Sequence, residues 1–298
     1  LKVVKKPGGG PDTFVEVEYA LTFTPMATNP TKTILITGAS SGIGLATARY
    51  FAQRGWQVAA TMRTPHKAPA DLHSLANVLV LPLDVLDVAS IEAAVAAARH
   101  AFGRLDVLFN NAGYALAGAF EALSPAQVQQ QFDTNVYGVM NVTRAVLPHF
   151  RERRQGLVLT TTSVGGHMAF PLYSVYNATK FAVEGFMEGL QYEVQQFNIQ
   201  VRTIVPGTVR TDFTAAIQYV PAPAYDPYAQ RVHEQTLASY AHAATPESVA
   251  RVVFAAATRG GRQARVLAGS QPKLVYFLRW LLPHQVFAGL INRTAGGK

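Results

Sequence analysis

Three side chains in the middle of the chain have the types and spacing needed for proton transfer: Ser163, Tyr176 and Lys180. A tyrosine and a lysine four residues apart share one helix face, so an ammonium can sit near the phenol oxygen and favour phenolate. A phenol so placed can trade protons near neutral pH, as a general acid or base must. A serine thirteen residues before the tyrosine can donate a hydrogen bond to an oxygen on which charge develops. A Tyr-x-x-x-Lys pair alone is common and carries no chemistry. It gains meaning from what precedes it.

Upstream, the strand-like run Thr33 to Thr37 leads into Gly38-Ala39-Ser40-Ser41-Gly42-Ile43-Gly44 and then a helical stretch. Glycines in a strand–turn–helix setting let the backbone turn tightly beside a pyrophosphate, which the free N–H groups of the helix start can bind. The second strand ends in Ala60-Thr61-Met62-Arg63, without the carboxylate that would hold the ribose hydroxyls of NAD. Arg63 offers a guanidinium fork to a 2′-phosphate instead, so NADP(H) is the preferred cofactor and NAD(H) an admissible one. The competing role for Arg63 is a solvated surface arginine. Asp84, in Leu83-Asp84-Val85, can accept a hydrogen bond from an adenine amino group or serve as a helix N-cap. Asn110-Asn111-Ala112-Gly113 closes a further strand at the same sheet edge. Small residues there admit a ligand, and the asparagines can tie strand ends together.

Taken together, these motifs resemble those of the short-chain dehydrogenase/reductase family. Thr37 to Gly44 matches its Thr-Gly-x-x-x-Gly-x-Gly, Asn110 to Gly113 its Asn-Asn-Ala-Gly, Ser163 its active serine and Tyr176 to Lys180 its Tyr-x-x-x-Lys. The resemblance spans about Thr33 to Leu267. It implies hydride exchange between a nicotinamide cofactor and a carbonyl or alcohol, with Tyr176 as general acid/base, Lys180 lowering the phenol pKa and holding the nicotinamide ribose, and Ser163 binding the substrate oxygen. It places Asn135, in Asp133-Thr134-Asn135-Val136, as a fourth catalytic residue that kinks its helix and holds a water linking Lys180 to solvent. Pro206, Gly207, Val209 and Thr211 are implied at the nicotinamide end, alongside cofactor contacts from Gly38, Ser40, Ser41, Ile43, Gly44, Arg63, Asp84, Val85, Asn111, Ala112, Gly113, Tyr176 and Lys180. The sequence around Tyr176 is similar to the branch containing 17β-hydroxysteroid and retinol dehydrogenases. Assembly into a homo-oligomer through the long helices bearing Asn135 and Tyr176 is likewise what the resemblance implies.

The elements that must position these residues alternate short apolar or β-branched runs with longer helical stretches, which predicts an α/β, doubly wound parallel sheet (Rossmann-like) with helices on both faces. Seven strands are expected: Thr33 to Thr37, Gln57 to Thr61, Val78 to Pro82, Val107 to Asn110, Leu157 to Thr162, Gln200 to Val205 and Ala264 to Leu267. Helices are expected near Gly44 to Gln53, Val88 to Ala101, Pro125 to Arg153, Tyr173 to Phe197 and Pro246 to Thr258. Residues 1–30, with Pro7-Gly8-Gly9-Gly10-Pro11 and no helical period, read as an appendage, Met26 being the candidate natural start. Residues 31–268 then form the catalytic domain and 269–298 a tail. Thr208 to Thr245, rich in proline and tyrosine, fits a substrate lid. Phe213, Tyr219, Tyr225 and Tyr228 there, with the apolar segment after Ser163, suggest a greasy pocket for a small lipophilic carbonyl or alcohol substrate. His167 reads as a rim or solvent-facing residue, with substrate contact as the alternative.

Composition narrows the classes further. The chain has 298 residues and no cysteine, which excludes a disulfide framework and a thiolate metal site and makes a cytoplasmic location the default. No metal site is indicated. Of the net charge of +8, seven units come from Arg259 onward, where no acid occurs, so the domain itself is nearly neutral and nucleic-acid binding is disfavoured. The basic, apolar tail is compatible with rest on an anionic membrane surface, or with capping the pocket or packing on another subunit. Two other classes compete with the enzyme. One is a non-catalytic NADP(H)-binding redox sensor, which an intact Ser163, Tyr176 and Lys180 counts against; the other is an extended-fold epimerase or dehydratase, which needs a longer chain.

Overall fold

The computed structural model describes residues 31–211, 217–240, 243–261 and 263–294. The proposed appendage, residues 1–30, lies outside the described residues, as does Phe213. β1 (Thr33–Ile36), α1 (Gly42–Ala52), β2 (Gln57–Met62), the short α2 (Ala70–Ser74) and β3 (Val78–Pro82) are followed by α3 (Val88–Phe102) and β4 (Val107–Asn110). Next come a short β5 (Ala115–Gly118) and α4 (Pro125–Phe132), which passes through a π-helical turn at Asp133–Tyr137 into α5 (Gly138–Arg153). β6 (Gly156–Thr161), α6 (Ser174–Val194) and β7 (Ile199–Pro206) complete the central part. The remainder comprises β8 (Ile217–Val220), α7 (Tyr228–Ser239), α8 (Pro246–Thr258), β9 (Arg265–Ala268), α9 (Ser270–Leu281) and α10 (His284–Thr294).

The strands read as near-continuous apolar runs because both their faces are covered. Ile34, Ile36, Val58, Phe109 and Leu159 pack against α1 and α8 through Phe51, Val249 and Val253. The alternate residues Leu35, Ala59, Leu108 and Val158 face Ile91, Val142, Phe150 and Met187 of α3, α5 and α6. Each such large side chain taken wholly out of water contributes about 1.5–3 kcal/mol. Seven strands form one parallel sheet in the order β3-β2-β1-β4-β6-β7-β9, as the sequence pattern predicts. The winding direction reverses between β1 and β4, and a crevice opens beyond the carboxyl ends of such strands, where ligands of this architecture bind. At the opposite end of β4, the buried Asp106 accepts from Thr33 N at 2.9 Å and pairs with Arg104 and Arg153. Those partners hold its carboxyl below the usual range despite burial.

Three features add to or alter the sequence expectation. The helix expected over Pro125 to Arg153 starts at the Ser124–Gln127 capping box but is broken by the π turn around Asn135. The stretch Thr208 to Thr245 contains β8 and α7, and β8 pairs in parallel with β5, from Ala115 beside Ile217 to Gly118 beside Val220, in a small second sheet. The tail folds as two helices, with Pro272 and Phe287 buried.

Candidate active site

The first turn is shaped by its glycines. Gly38 adopts φ +67°, and a Cβ there would lie 2.8 Å from Ala112 Cα. Ser41 is the N-cap of α1 without a side-chain capping bond, and the first turn holds no acidic residue. The leading amides of a helix have no intrahelical partner, so the start of α1 presents N–H groups and the positive end of its dipole to the cleft. Gly38, Ser40, Ser41 and Ile43 line that cleft. Gly44 does not: it lies behind the turn, where a Cβ would come 2.2 Å from Gly38 O and 2.6 Å from Asn111 Nδ2. Gly44 therefore has a packing role as well, since only glycine lets the helix close against the turn.

Asn111 fixes the neighbouring strand ends. Its Nδ2 donates to Thr37 O and Gly38 O, both at 3.2 Å, and its Oδ1 accepts from Thr161 Oγ1 at 3.2 Å. Asn111, Ala112 and Gly113 line the cleft, as do Val85, Pro206, Gly207, Val209 and Thr211. Asp84 is not an N-cap. That position belongs to Asp87, which accepts from Ala89 N and Ser90 N, while Asp84 Oδ1 accepts from Leu86 N at 3.0 Å and the residue borders the cleft. Arg63 is exposed at the same end and has no hydrogen-bond or ionic partner among the described residues.

Ser163, Tyr176 and Lys180 meet at the middle of the cleft. Ser163 follows β6, and its Oγ accepts from Gly165 N at 3.0 Å, which orients the hydroxyl. The Ser163 and Tyr176 hydroxyls hydrogen-bond. Lys180, one turn along α6, is buried and donates from Nζ to Thr161 O at 3.0 Å, 5.8 Å from the centre of the Tyr176 ring. Burial dominates the electrostatics here: it pushes the phenol up to about 12, against a lowering by Ser163, and brings the lysine down to about 8. Burial thus works against the lowering expected from Lys180, since desolvation disfavours the phenolate. Asn135 is buried beneath the cleft and does not line it. Its Oδ1 accepts from Tyr114 N at 3.2 Å and its Nδ2 donates to Tyr114 O at 3.0 Å and Thr179 Oγ1 at 3.2 Å, which locks the π turn against α6.

The cleft has a volume of about 870 Å³. Its ionisable lining residues with charge are Arg63, Asp84 and Lys180 among the described residues; the far end is walled by Met168, Phe170, Val232 and Val275, with Tyr173, Gln235 and Tyr240 as polar groups. Burial also raises the Tyr173 phenol to about 12, so that wall is neutral. The lid does reach the cleft, among others through Ile217, Gln218, α7 and Tyr240; Tyr219, Tyr225 and Tyr228 do not line it. This architecture fits a dinucleotide: a turn too tight for side chains, open amides and a continuous trough from Arg63 to Tyr176.

A family model described as short chain dehydrogenase matches residues 32–220. The chain belongs to the short-chain dehydrogenase family. An uncharacterised oxidoreductase of Schizosaccharomyces pombe is 37% identical over 224 residues, covering 74% of this chain and 91% of the relative. Human retinol dehydrogenase 8 is 42% identical over 193 residues, 63% of this chain and 62% of its own length. Among solved structures, a short-chain dehydrogenase of Streptomyces avermitilis superimposes with a TM-score of 0.78 at 32% identity, covering 88% of this chain and 96% of that one. A Burkholderia phymatum member in complex with NAD gives 0.72 at 26% identity, covering 84% and 95%. The protein is therefore an oxidoreductase of this family that acts on alcohol or ketone groups and uses a nicotinamide cofactor.

Two features of this dehydrogenase's site had no sequence signal. Glu184, one turn beyond Lys180, is buried and accepts from Thr203 Oγ1 at 3.3 Å and Arg265 Nε at 3.1 Å, with His167 Nε2 3.1 Å away. The His167 ring packs on Tyr276 of α9 at 4.6 Å, so His167 is a structural link and not a cleft residue. Gln271 of α9 accepts from Thr208 N at 2.8 Å, which ties the tail to the segment after β7. Both contacts join residues far apart in the chain, and neither leaves a local pattern.

Proposed function

We propose that the protein interconverts a ketone and the corresponding secondary alcohol on a neutral, lipophilic small molecule, with NADP(H) the preferred cofactor and NAD(H) accepted. The observation that carries this reading is the Ser163–Tyr176 hydrogen bond beside Lys180, at the middle of a cleft that carries Arg63 and Asp84 at one end and is free of charged side chains, among the described residues, at the other. When bound, the nicotinamide supplies or takes up the hydride. Tyr176 Oη gives its proton to the carbonyl oxygen as the carbonyl carbon is reduced, and takes it back in oxidation. A phenol kept protonated by burial suits the donor role. Ser163 holds the substrate oxygen by a hydrogen bond that strengthens as charge develops. Lys180 spends one of its three protons on Thr161 O and has two left for ribose hydroxyls. Asn135 acts from behind the site, holding the π turn against α6 through Tyr114 and Thr179.

Arg63, without a partner among the described residues, is the group that favours a 2′-phosphate. The apolar far wall favours substrates such as steroids, retinoids and aryl or fatty-acyl ketones. We also assign self-assembly to the π turn leading into α5 and to α6, where the aromatic side chains Tyr137, Phe181 and Tyr192 are exposed. Steady-state assays of a panel of lipophilic ketones and alcohols, each with NADPH and NADH, test the reading. Turnover of neutral ketones with a lower KM for NADPH is expected. Activity only on charged ketones, or a lower KM for NADH, would overturn it.

A further inference from the structure

The two helices that end the described chain have two unlike sides. Inward, Pro272 and Phe287 are buried, and Val275 and Ile291 line the cleft. Outward, Trp280 is 81% exposed, and Leu274, Phe277, Leu281 and Val286 are each more than half exposed. Leu274, Phe277 and Leu281 recur at three- and four-residue steps, which makes a stripe along α9. Bare apolar surface of this kind marks a place where something else is bound.

The charge around it selects the occupant. Lys273, Arg279 and Arg293 are exposed on the same two helices, and none has an acidic partner among the described residues. Arg265, by contrast, is engaged by Glu184 and Glu188. No acid occurs in the sequence from Arg259 onward. A second copy meeting this face about a two-fold axis would present the same cations and no acid from these helices. An anionic surface with an apolar interior matches both properties. At 12 and 11 residues the helices are too short to cross a bilayer, and no described helix is long and apolar enough to do so.

We propose that α9 and α10 lie flat on an anionic lipid surface, with Trp280 and Phe277 inserted at the acyl boundary and Lys273, Arg279 and Arg293 among the headgroups. The same helices wall the cleft through Val275 and Ile291, so docking sets the substrate end beside the lipid.

The chain carries its own reporter. It has two tryptophans, of which Trp56 is 7% exposed, so a change in emission reports Trp280. The full chain is titrated with phosphatidylcholine vesicles with and without phosphatidylserine, some carrying brominated acyl chains, and sedimented with them in parallel. The proposal expects a blue shift, bromine quenching and co-sedimentation with the anionic vesicles, reversed by salt, and about fivefold weaker binding for each of Lys273→Ala and Arg293→Ala. Trp280→Phe should abolish the optical signal. No binding to either vesicle, equal binding to both, or a blue emission in the absence of lipid that vesicles leave unchanged would overturn it; the last would mean that protein already covers the face. Reduction of a water-soluble ketone without vesicles is measured on the same samples. It reports the proposed chemistry separately, so the two readings can fail independently.

Discussion

Replacing Arg63 with alanine isolates the cofactor-selecting interaction. Arg63 ends at the cleft with no partner among the described residues, so its removal breaks no contact seen there, and stability should stay within about 0.5 kcal/mol of the parent. A hydrogen bond to a charged group contributes about 1.5–3 kcal/mol, which corresponds to about 10- to 150-fold in an equilibrium constant. The side chain is exposed, and solvent screening puts the expected effect in the lower part of that range, about 10- to 30-fold. The assay is KM and kcat for NADPH and for NADH at fixed saturating ketone. Arg63→Ala should raise KM for NADPH by that factor, leave kcat near the parent value and leave both constants for NADH unchanged, since NADH lacks the 2′-phosphate. Equal losses with both cofactors, or none with either, would refute the assignment of Arg63 to the phosphate.

Other outcomes follow from the same geometry. Because burial raises the Tyr176 phenol to about 12, the proton donor is present throughout neutral pH; ketone reduction should vary little from about pH 6 to 8, whereas alcohol oxidation, which needs the phenolate, should speed up as pH rises. Initial rates in both directions across that range check it. Asp106 has a folded-state pKa below its ordinary value, so its stabilisation is complete above the unfolded-state pKa and is lost as pH falls through the folded one. Asp106→Ala should destabilise the protein by about 2 kcal/mol, less than the about 3–5 kcal/mol of a fully buried pair because both arginines keep some solvent, as urea unfolding will show. Glu184→Gln should weaken the links from α6 to Arg265 and His167, lowering thermal stability and raising substrate KM more than cofactor KM. Gly44→Ala should fail to fold or lose cofactor affinity, since the added methyl meets Gly38 O.

The seven-stranded sheet was legible because β-branched runs and helical periods alternate along the chain, and each strand fell within a residue or two of its expected limits. The residues at the strand ends were legible for a related reason: Gly38, Asn111 and Ser163 each sit where a strand stops at the crevice. What escaped was long-range. β5 and β8 are four residues each and pair across about a hundred residues of chain, so neither stands out alone. Tyr219, Tyr225 and Tyr228 suggested a pocket lining, yet the lid residues that line it include Ile217, Gln218, one face of α7 and Tyr240 just after it. Helix direction, which only the fold decides, set that outcome. The phenol's electrostatics were also out of reach, because spacing places a lysine near a tyrosine but cannot say how deeply both are buried.

The most direct test is transient-state reduction of a lipophilic ketone by Tyr176→Phe at saturating NADPH, with cofactor binding followed independently by fluorescence. Removing only the phenol oxygen should leave NADPH affinity within about twofold and cut the rate by about 10²-fold or more. A variant that binds NADPH normally and reduces the ketone near the parent rate would show that the proton comes from elsewhere.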